Sequence, residues 1–320
     1  MVENMRILLG YDGSACADSA VYDLRKAGLP EHVEAVVLTA TDLTPHLPPS
    51  CFMPVDEAAQ AGESQIVHNA RLLARRAMDE ARTTASRGAD RVRAEFPAWQ
   101  VQTETGLDCP AYRALIVKAE RWRPDLIVVG SHGRSAAGRA LLGSVSTQVL
   151  SHAHCSVRLA RFREDAGRLA GEPVRLVLGI DGSHDSAAAA SAVAERSWPR
   201  GSSVRVVMAV DDSILITLAY GPLQPGWAVG VKPEWDSQTR ARHVVNAVAK
   251  ELNFAGLSAT PVVAEGDPKK VLLQEAEEFG ADCIFLGAKG HGGFDRFLLG
   301  SVSTAVATRA RCSVEVVRQG

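Results

Sequence analysis

The chain has 320 residues, 46% of them hydrophobic and 5% aromatic, with 35 Lys and Arg against 37 Asp and Glu for a formal charge of −2. That length is about two domains. A near-balanced charge offers no global field to gather nucleic acid, and so few aromatics argue against a stacking platform for single strands. No stretch reads as a signal peptide or approaches the length of a bilayer span, and the six cysteines contain no C-x-x-C pair. The expectation is therefore a cytoplasmic protein in a reducing compartment, without membrane or nucleic-acid partners.

In chain order, short apolar runs alternate with amphipathic segments, the pattern of β-α-β units around a parallel sheet. Strands are expected near residues 5–11, 33–40, 100–104, 125–130 and 155–160, with helices near 14–28, 64–95, 108–122 and 144–153. The order then repeats: strands near 174–180, 203–210, 259–264, 281–287 and 312–317, and helices near 184–197, 234–256, 267–279 and 301–310. The runs Asp125–Val129 and Asp282–Leu286 are apolar after their first residue, which suits central strands covered on both faces. The polar stretch Arg161–Pro173 reads as a linker. The expected domains are residues 1–160 and 174–320, with 161–173 between them.

The repetition is exact in one place. Leu-Leu-Gly-Ser-Val-Ser-Thr occurs at Leu141–Thr147 and again at Leu298–Thr304, and each copy closes a pattern G-x2-G-x9-G-S. The glycines are Gly130, Gly133 and Gly143 in the first copy and Gly287, Gly290 and Gly300 in the second, followed by Ser144 and Ser301. The chain is an internal duplication. Each glycine loop leaves the carboxyl end of a central strand, where open α/β sheets hold their ligands. Without Cβ atoms, backbone N–H groups there can approach an anion. The helix that follows, with Ser144 or Ser301 as its expected N-cap, adds the positive end of its dipole.

A second shared motif, G-x-D-G-S, follows each first strand at Gly10–Ser14 and Gly179–Ser183. Asp12 and Asp181 fall in the same crevice, where a carboxylate can accept from a ribose hydroxyl or hold a phosphate-bound metal. The plain structural alternative is an Asx-turn with Ser14 or Ser183 capping the next helix. Paired with the glycine loops, the ligand role is preferred.

These two motifs, at these places, resemble the universal stress protein family, and the resemblance covers nearly the whole chain as two tandem copies. It implies two doubly wound five-stranded parallel-sheet domains of strand order 3-2-1-4-5, related by pseudo-twofold symmetry, with ATP at each crevice in the nucleotide-binding branch. By that resemblance Asp12 faces the ribose and Ala40 the adenine, while Gly130, Gly133, Gly143, Ser144 and Val145 hold phosphates. The second set is Asp181, Val210, Gly287, Gly290, Gly300, Ser301 and Val302. The family also implies pairing of halves through the fifth strands, Ser156–Ala160 against Ser313–Val317, with further homodimerisation open.

Elsewhere the copies diverge. Asp12 to Gly130 spans 118 positions and Asp181 to Gly287 only 106, an excess placed between the second and third strands. The loops 41–63 and 211–233 are unlike, and Arg139 and Arg296 align as candidate phosphate contacts. No Gly-Lys-[Ser/Thr] P-loop, dinucleotide fingerprint or nucleophilic constellation is present. His152-Ala153-His154 becomes Arg309-Ala310-Arg311 in the repeat, which reads as a solvated helix end rather than a metal site. The expected function is ATP binding in a stress-linked regulatory or protective factor with no catalytic residues. A slow Mg²⁺-dependent ATPase and a scaffold working through the two loops are the alternatives.

Overall fold

The computed structural model describes residues 4–41, 65–106, 110–133, 142–161, 171–210, 236–290 and 299–318. In the first half, β1 (Met5–Gly10), α1 (Ala15–Asp23, continued by a 3-10 turn Leu24–Lys26), β2 (Val33–Ala40), α2 (Gln65–Glu95) and β3 (Gln100–Gly106) lead to α3 (Ala111–Trp122), β4 (Leu126–Gly130), α4 (Ser144–His152) and β5 (Ser156–Ala160). The second half repeats this as β6 (Arg175–Gly179), α5 (His184–Ala194), β7 (Ser203–Val210), α6 (Ser237–Phe254) and β8 (Ser258–Glu265). It closes with α7 (Pro268–Phe279), β9 (Cys283–Gly287), α8 (Ser301–Arg309) and β10 (Ser313–Val317). The helix α2 has 31 residues and α6 has 18, which accounts for the longer spacing of the first half.

All ten strands form one sheet in the order β3-β2-β1-β4-β5-β10-β9-β6-β7-β8. Each half is thus a parallel 3-2-1-4-5 sheet, and the halves join where β5 meets β10 antiparallel. The central strands β4 and β9 are buried almost throughout, as their apolar runs require. The edge strands β3 and β8 have no fully buried residue, and β8 tolerates Pro261 because an edge strand has a spare side in the ladder.

Several strands start a residue or two later than expected, and at β4 and β9 the reason is visible. Asp125 and Asp282 stand just before β4 and β9, and their carboxylates accept the backbone N–H groups of Arg6 (2.7 Å) and Arg175 (3.0 Å). Each side chain therefore ties down the entrance of the neighbouring first strand instead of standing in the ladder. The helix expected over 184–197 ends at Ala194, short of Pro199.

The core differs between the two faces of the sheet. On one face a single cluster runs across both halves, from Leu8, Ile127 and Leu159 to Val314, Ile284 and Val207. On the other face there are two clusters, one around Leu9, Val37 and Val128 and one around Leu178, Val206 and Phe285. Among the described residues, no helix is long and apolar enough to cross a membrane.

Candidate functional site

In each half the carboxyl ends of the first and fourth strands converge. Gly13 (φ 76°) and Gly182 (φ 88°) adopt backbone conformations that an L side chain rarely takes, and so turn the chain sharply behind Asp12 and Asp181. The Oδ1 atoms of the two aspartates accept the N–H groups of Ser14 (3.0 Å) and Ser183 (2.9 Å), the Asx-turn geometry. Ser14 and Ser183 then cap α1 and α5 by accepting from Ala17 and Ser186, each at 3.2 Å. The structural role and the ligand role are compatible, because the other oxygen of each carboxylate lies toward the glycine loop. A Cβ on Gly133 would stand 3.1 Å from Asp12 Oδ2, and one on Gly290 2.5 Å from Asp181 Oδ2.

The first glycine of each loop is required by close approach. A Cβ on Gly130 would meet the Cys16 carbonyl oxygen at 2.9 Å, and one on Gly287 the Asp185 carbonyl carbon at 2.5 Å. The last glycine folds back onto the start of the loop: Gly143 N–H donates to Ser131 O and Gly300 N–H to Ala288 O, both at 2.8 Å. Position 143 lies beside His132 and Gly133, and position 300 beside Lys289 and Gly290. The structure thus brings Asp12, Gly130, Gly133 and Gly143 together, and likewise Asp181, Gly287, Gly290 and Gly300.

One expectation is corrected. Ser144 and Ser301 are not the N-caps of α4 and α8 but their first helical residues. Gly143 and Gly300, in extended conformation, are the caps, and neither helix has a side-chain cap. The loop's turn back onto residues 131 and 288 fixes the glycine outside the helix, so the serine falls one position inside. The consequence strengthens the site: no side chain caps the first turns, which carry Val145 and Val302 partly buried, and these helix ends favour an anion. Ala40 and Val210 end β2 and β7, the strands next to the aspartates. In the first half Thr39 Oγ1 donates to Tyr11 O at 2.6 Å and binds that strand end to the approach to Asp12.

Sequence reasoning missed two pairs of residues. Ser146 and Ser303 donate to the carbonyls of Gly130 and Gly287, each at 2.7 Å, and lock the helix to the strand end. Both lie in the repeated heptapeptide, so the signal was present. The other pair is Cys16 and Asp185. Asp185 Oδ2 accepts the Lys289 N–H at 2.9 Å. In the first half Cys16 stands at the equivalent position; burial pushes its thiol up, and a hydrogen bond from the His132 backbone acts the other way. At this position the second crevice has a carboxylate where the first has a thiol. Arg139, Arg296 and the loop positions 42–63 and 211–233 lie outside the described residues, as does all of the expected linker except residues 161 and 171–173.

Across the sequence, the universal stress protein family model matches residues 3–161 and again residues 174–318. The chain belongs to the universal stress protein family. A universal stress protein of Mycolicibacterium smegmatis is 31% identical over 98% of this chain and 96% of its own length. Universal stress protein Rv2005c of Mycobacterium tuberculosis is 28% identical over 98% of this chain and 97% of its own. These relatives are tandem over the same span. In fold, the chain is similar to the crystal structure of a universal stress protein from Archaeoglobus fulgidus, with a TM-score of 0.66 and 21% identity over 99% of this chain and 100% of that one. The family thus accounts for the doubled 3-2-1-4-5 sheet.

Proposed function

We propose that this universal stress protein binds an adenine nucleotide, ATP foremost, in its two glycine-loop crevices and serves in the stress response as a regulatory or protective factor. The observation that carries the reading is the Cβ-free space between Asp12 and Gly133, and between Asp181 and Gly290, at the foot of helices that no side chain caps. A carboxylate suits ribose hydroxyls, and uncapped first-turn N–H groups suit phosphate. In this reading Asp12 and Asp181 take the ribose, Ala40 and Val210 border the base, and Gly130, Gly133, Gly143, Ser144 and Val145 hold phosphates. Gly287, Gly290, Gly300, Ser301 and Val302 do the same in the second crevice. We take the binding units to be residues 1–160 and 174–320, and the protein to work in the cytoplasm.

Slow hydrolysis with Mg²⁺ is the second reading, favoured by the same aspartates, which can hold a phosphate-bound cation. A P-loop lysine is absent from the sequence, and phosphoryl transfer relies on positioning and charge neutralisation, so binding is the primary role. Calorimetric titration of nucleotide-stripped protein with ATP tests the proposal. Saturable binding that weakens in Asp12→Ala and in Asp181→Ala, and vanishes in the double variant, is expected. Unchanged binding in the double variant contradicts the assignment.

A further inference from the structure

β5 and β10 are copies of one another and pair antiparallel, with Val157 opposite Val316, Arg158 opposite Glu315 and Leu159 opposite Val314. Positions 158 and 315 are equivalent in the repeat, so the pseudo-twofold axis passes between them. On such an axis a residue meets its own counterpart, and an unaltered duplication would set two like side chains face to face. Here Arg meets Glu, both 0% exposed and 3.0 Å apart. Each also has a partner from its own half: Arg158 Nε lies 2.6 Å from Asp23 Oδ2, and Arg196 pairs with Glu315. The result is a buried row of alternating charge, Asp23–Arg158–Glu315–Arg196, on the face of the sheet where the apolar core is divided.

The neighbouring contacts obey the twofold. Arg161 donates to the carbonyls of Ala307 and Thr308 at the end of α8, and Arg318 donates to those of Leu150 and Ala153 at the end of α4. The Arg161 N–H reaches Ser313 Oγ and the Arg318 N–H reaches Ser156 Oγ, both at 3.2 Å. Such contacts, and the valines and leucine of the two strands, would form equally well between two first halves or two second halves. The axial pair would not. Two first halves would bury Arg158 against Arg158, and two second halves Glu315 against Glu315, where like charges repel most strongly.

We propose that Arg158 and Glu315 form a pairing lock, which makes the fifth-strand edge of each half selective for the other half and closes it to the same edge of a second copy. The edge of β5 accepts an antiparallel strand with an acid at the axial position, and that of β10 a strand with a base there. An exposed strand edge is otherwise open to any strand of matching register, and selectivity requires that the wrong pairing be penalised. Other contacts across the seam are also asymmetric: Lys26 with Asp282 (3.1 Å), Arg196 donating to the Ala27 carbonyl (2.8 Å), Ser313 Oγ donating to Asp23 Oδ1 (2.7 Å), and the Trp198 ring packed against Gly28. The test must separate the axial pair from these.

The full chain is given a protease site within residues 162–170, folded and cut, which removes the high effective concentration that tethering imposes. Labelled and unlabelled batches are mixed, and native mass spectrometry counts the pairs of halves. Wild type should yield first–second pairs alone. Arg158→Met with Glu315→Leu, and Arg158→Gln with Glu315→Gln, should still pair but drift toward the statistical mixture that includes first–first and second–second pairs. Two neutral versions are used so that a folding failure in one leaves the other to decide. Glu315→Arg alone should weaken first–second association by about a hundredfold or more, as expected when a buried pair is replaced by like charges. Homotypic pairs in cut wild type would overturn the lock. So would strict first–second pairing in the neutral variants, which would assign selectivity to the other asymmetric contacts of the seam, or wild-type association in Glu315→Arg.

Discussion

Asp12 and Gly133 are 121 positions apart in the chain, yet a single added methyl on the glycine would come 3.1 Å from the aspartate's Oδ2. The equivalent distance from Gly290 to Asp181 is 2.5 Å. This closeness of carboxylate and glycine loop defines the crevice, and the difference between the copies has a measurable consequence. Gly290→Ala must displace the Asp181 side chain, whereas Gly133→Ala needs only a small adjustment of Asp12. Titration with ATP should show the second crevice lost or weakened about tenfold or more in Gly290→Ala, roughly the 1.4 kcal/mol of one mispositioned polar contact. The first crevice in Gly133→Ala should weaken less. Equal effects would contradict the geometric account.

Asp185 makes the crevices unequal. Its carboxylate occupies the Lys289 N–H, where the first half has the thiol of Cys16. An extra negative charge near the phosphate path should weaken the second site by on the order of 1 kcal/mol, or severalfold in affinity. Lys289, where the first half has His132, adds a positive charge to the same crevice, so the effect of Asp185 is read by its own removal. Asp185→Cys should tighten the second site severalfold and leave the first unchanged in two-site calorimetry. An unchanged second site would show that Asp185 does not oppose the nucleotide.

The duplication also supplies a natural control for backbone strain. α7 ends in Gly280 (φ 61°), while the equivalent end of α3 places Arg123 in the same left-handed conformation at φ 50°. Arg123 is the one non-glycine residue with positive φ among those described. A side chain there costs roughly 1 kcal/mol relative to glycine. Arg123→Gly should raise stability by about 0.5–1 kcal/mol in urea denaturation, and Gly280→Ala should lower it by a similar amount. Destabilisation by Arg123→Gly would show that its side chain contributes more than its backbone loses.

Much of this arrangement was legible in the sequence, for identifiable reasons. Apolar runs located the central strands, because β4 and β9 are buried on both faces, whereas the edge strand β3 carries a single large apolar residue, Val101. The repeated glycines located the crevices, since close approach at Gly130 and Gly287 leaves no alternative residue. What could not be read depends on distant partners. The capping of Arg6 and Arg175 by Asp125 and Asp282 moved two strand starts, and the fold-back of Gly143 and Gly300 moved two helix starts. The opposed charges of Arg158 and Glu315 gain meaning only once the register of β5 with β10 is known.

Tyr11 gives the first half a pH dependence the second lacks, where Ile180 stands at the matching place. Burial, and then the hydrogen bond to Asp18 at 2.5 Å, raise its phenol to about 12. A folded-state pKa above the unfolded value stabilises fully below pH of about 10, and that contribution is lost as pH rises toward 12. The loss is at most about 3 kcal/mol. Tyr11→Phe should flatten this part of the stability curve, measured by denaturant melts across the alkaline range. An identical alkaline loss in Tyr11→Phe would place its origin elsewhere.

On the proposed reading, both crevices take an adenine nucleotide. The most direct measurement is to denature freshly purified protein, identify the released small molecules by mass spectrometry and count nucleotide per chain. ATP or ADP is expected, with more than one and at most two per chain. No released nucleotide, together with no thermal shift on adding ATP, would contradict it.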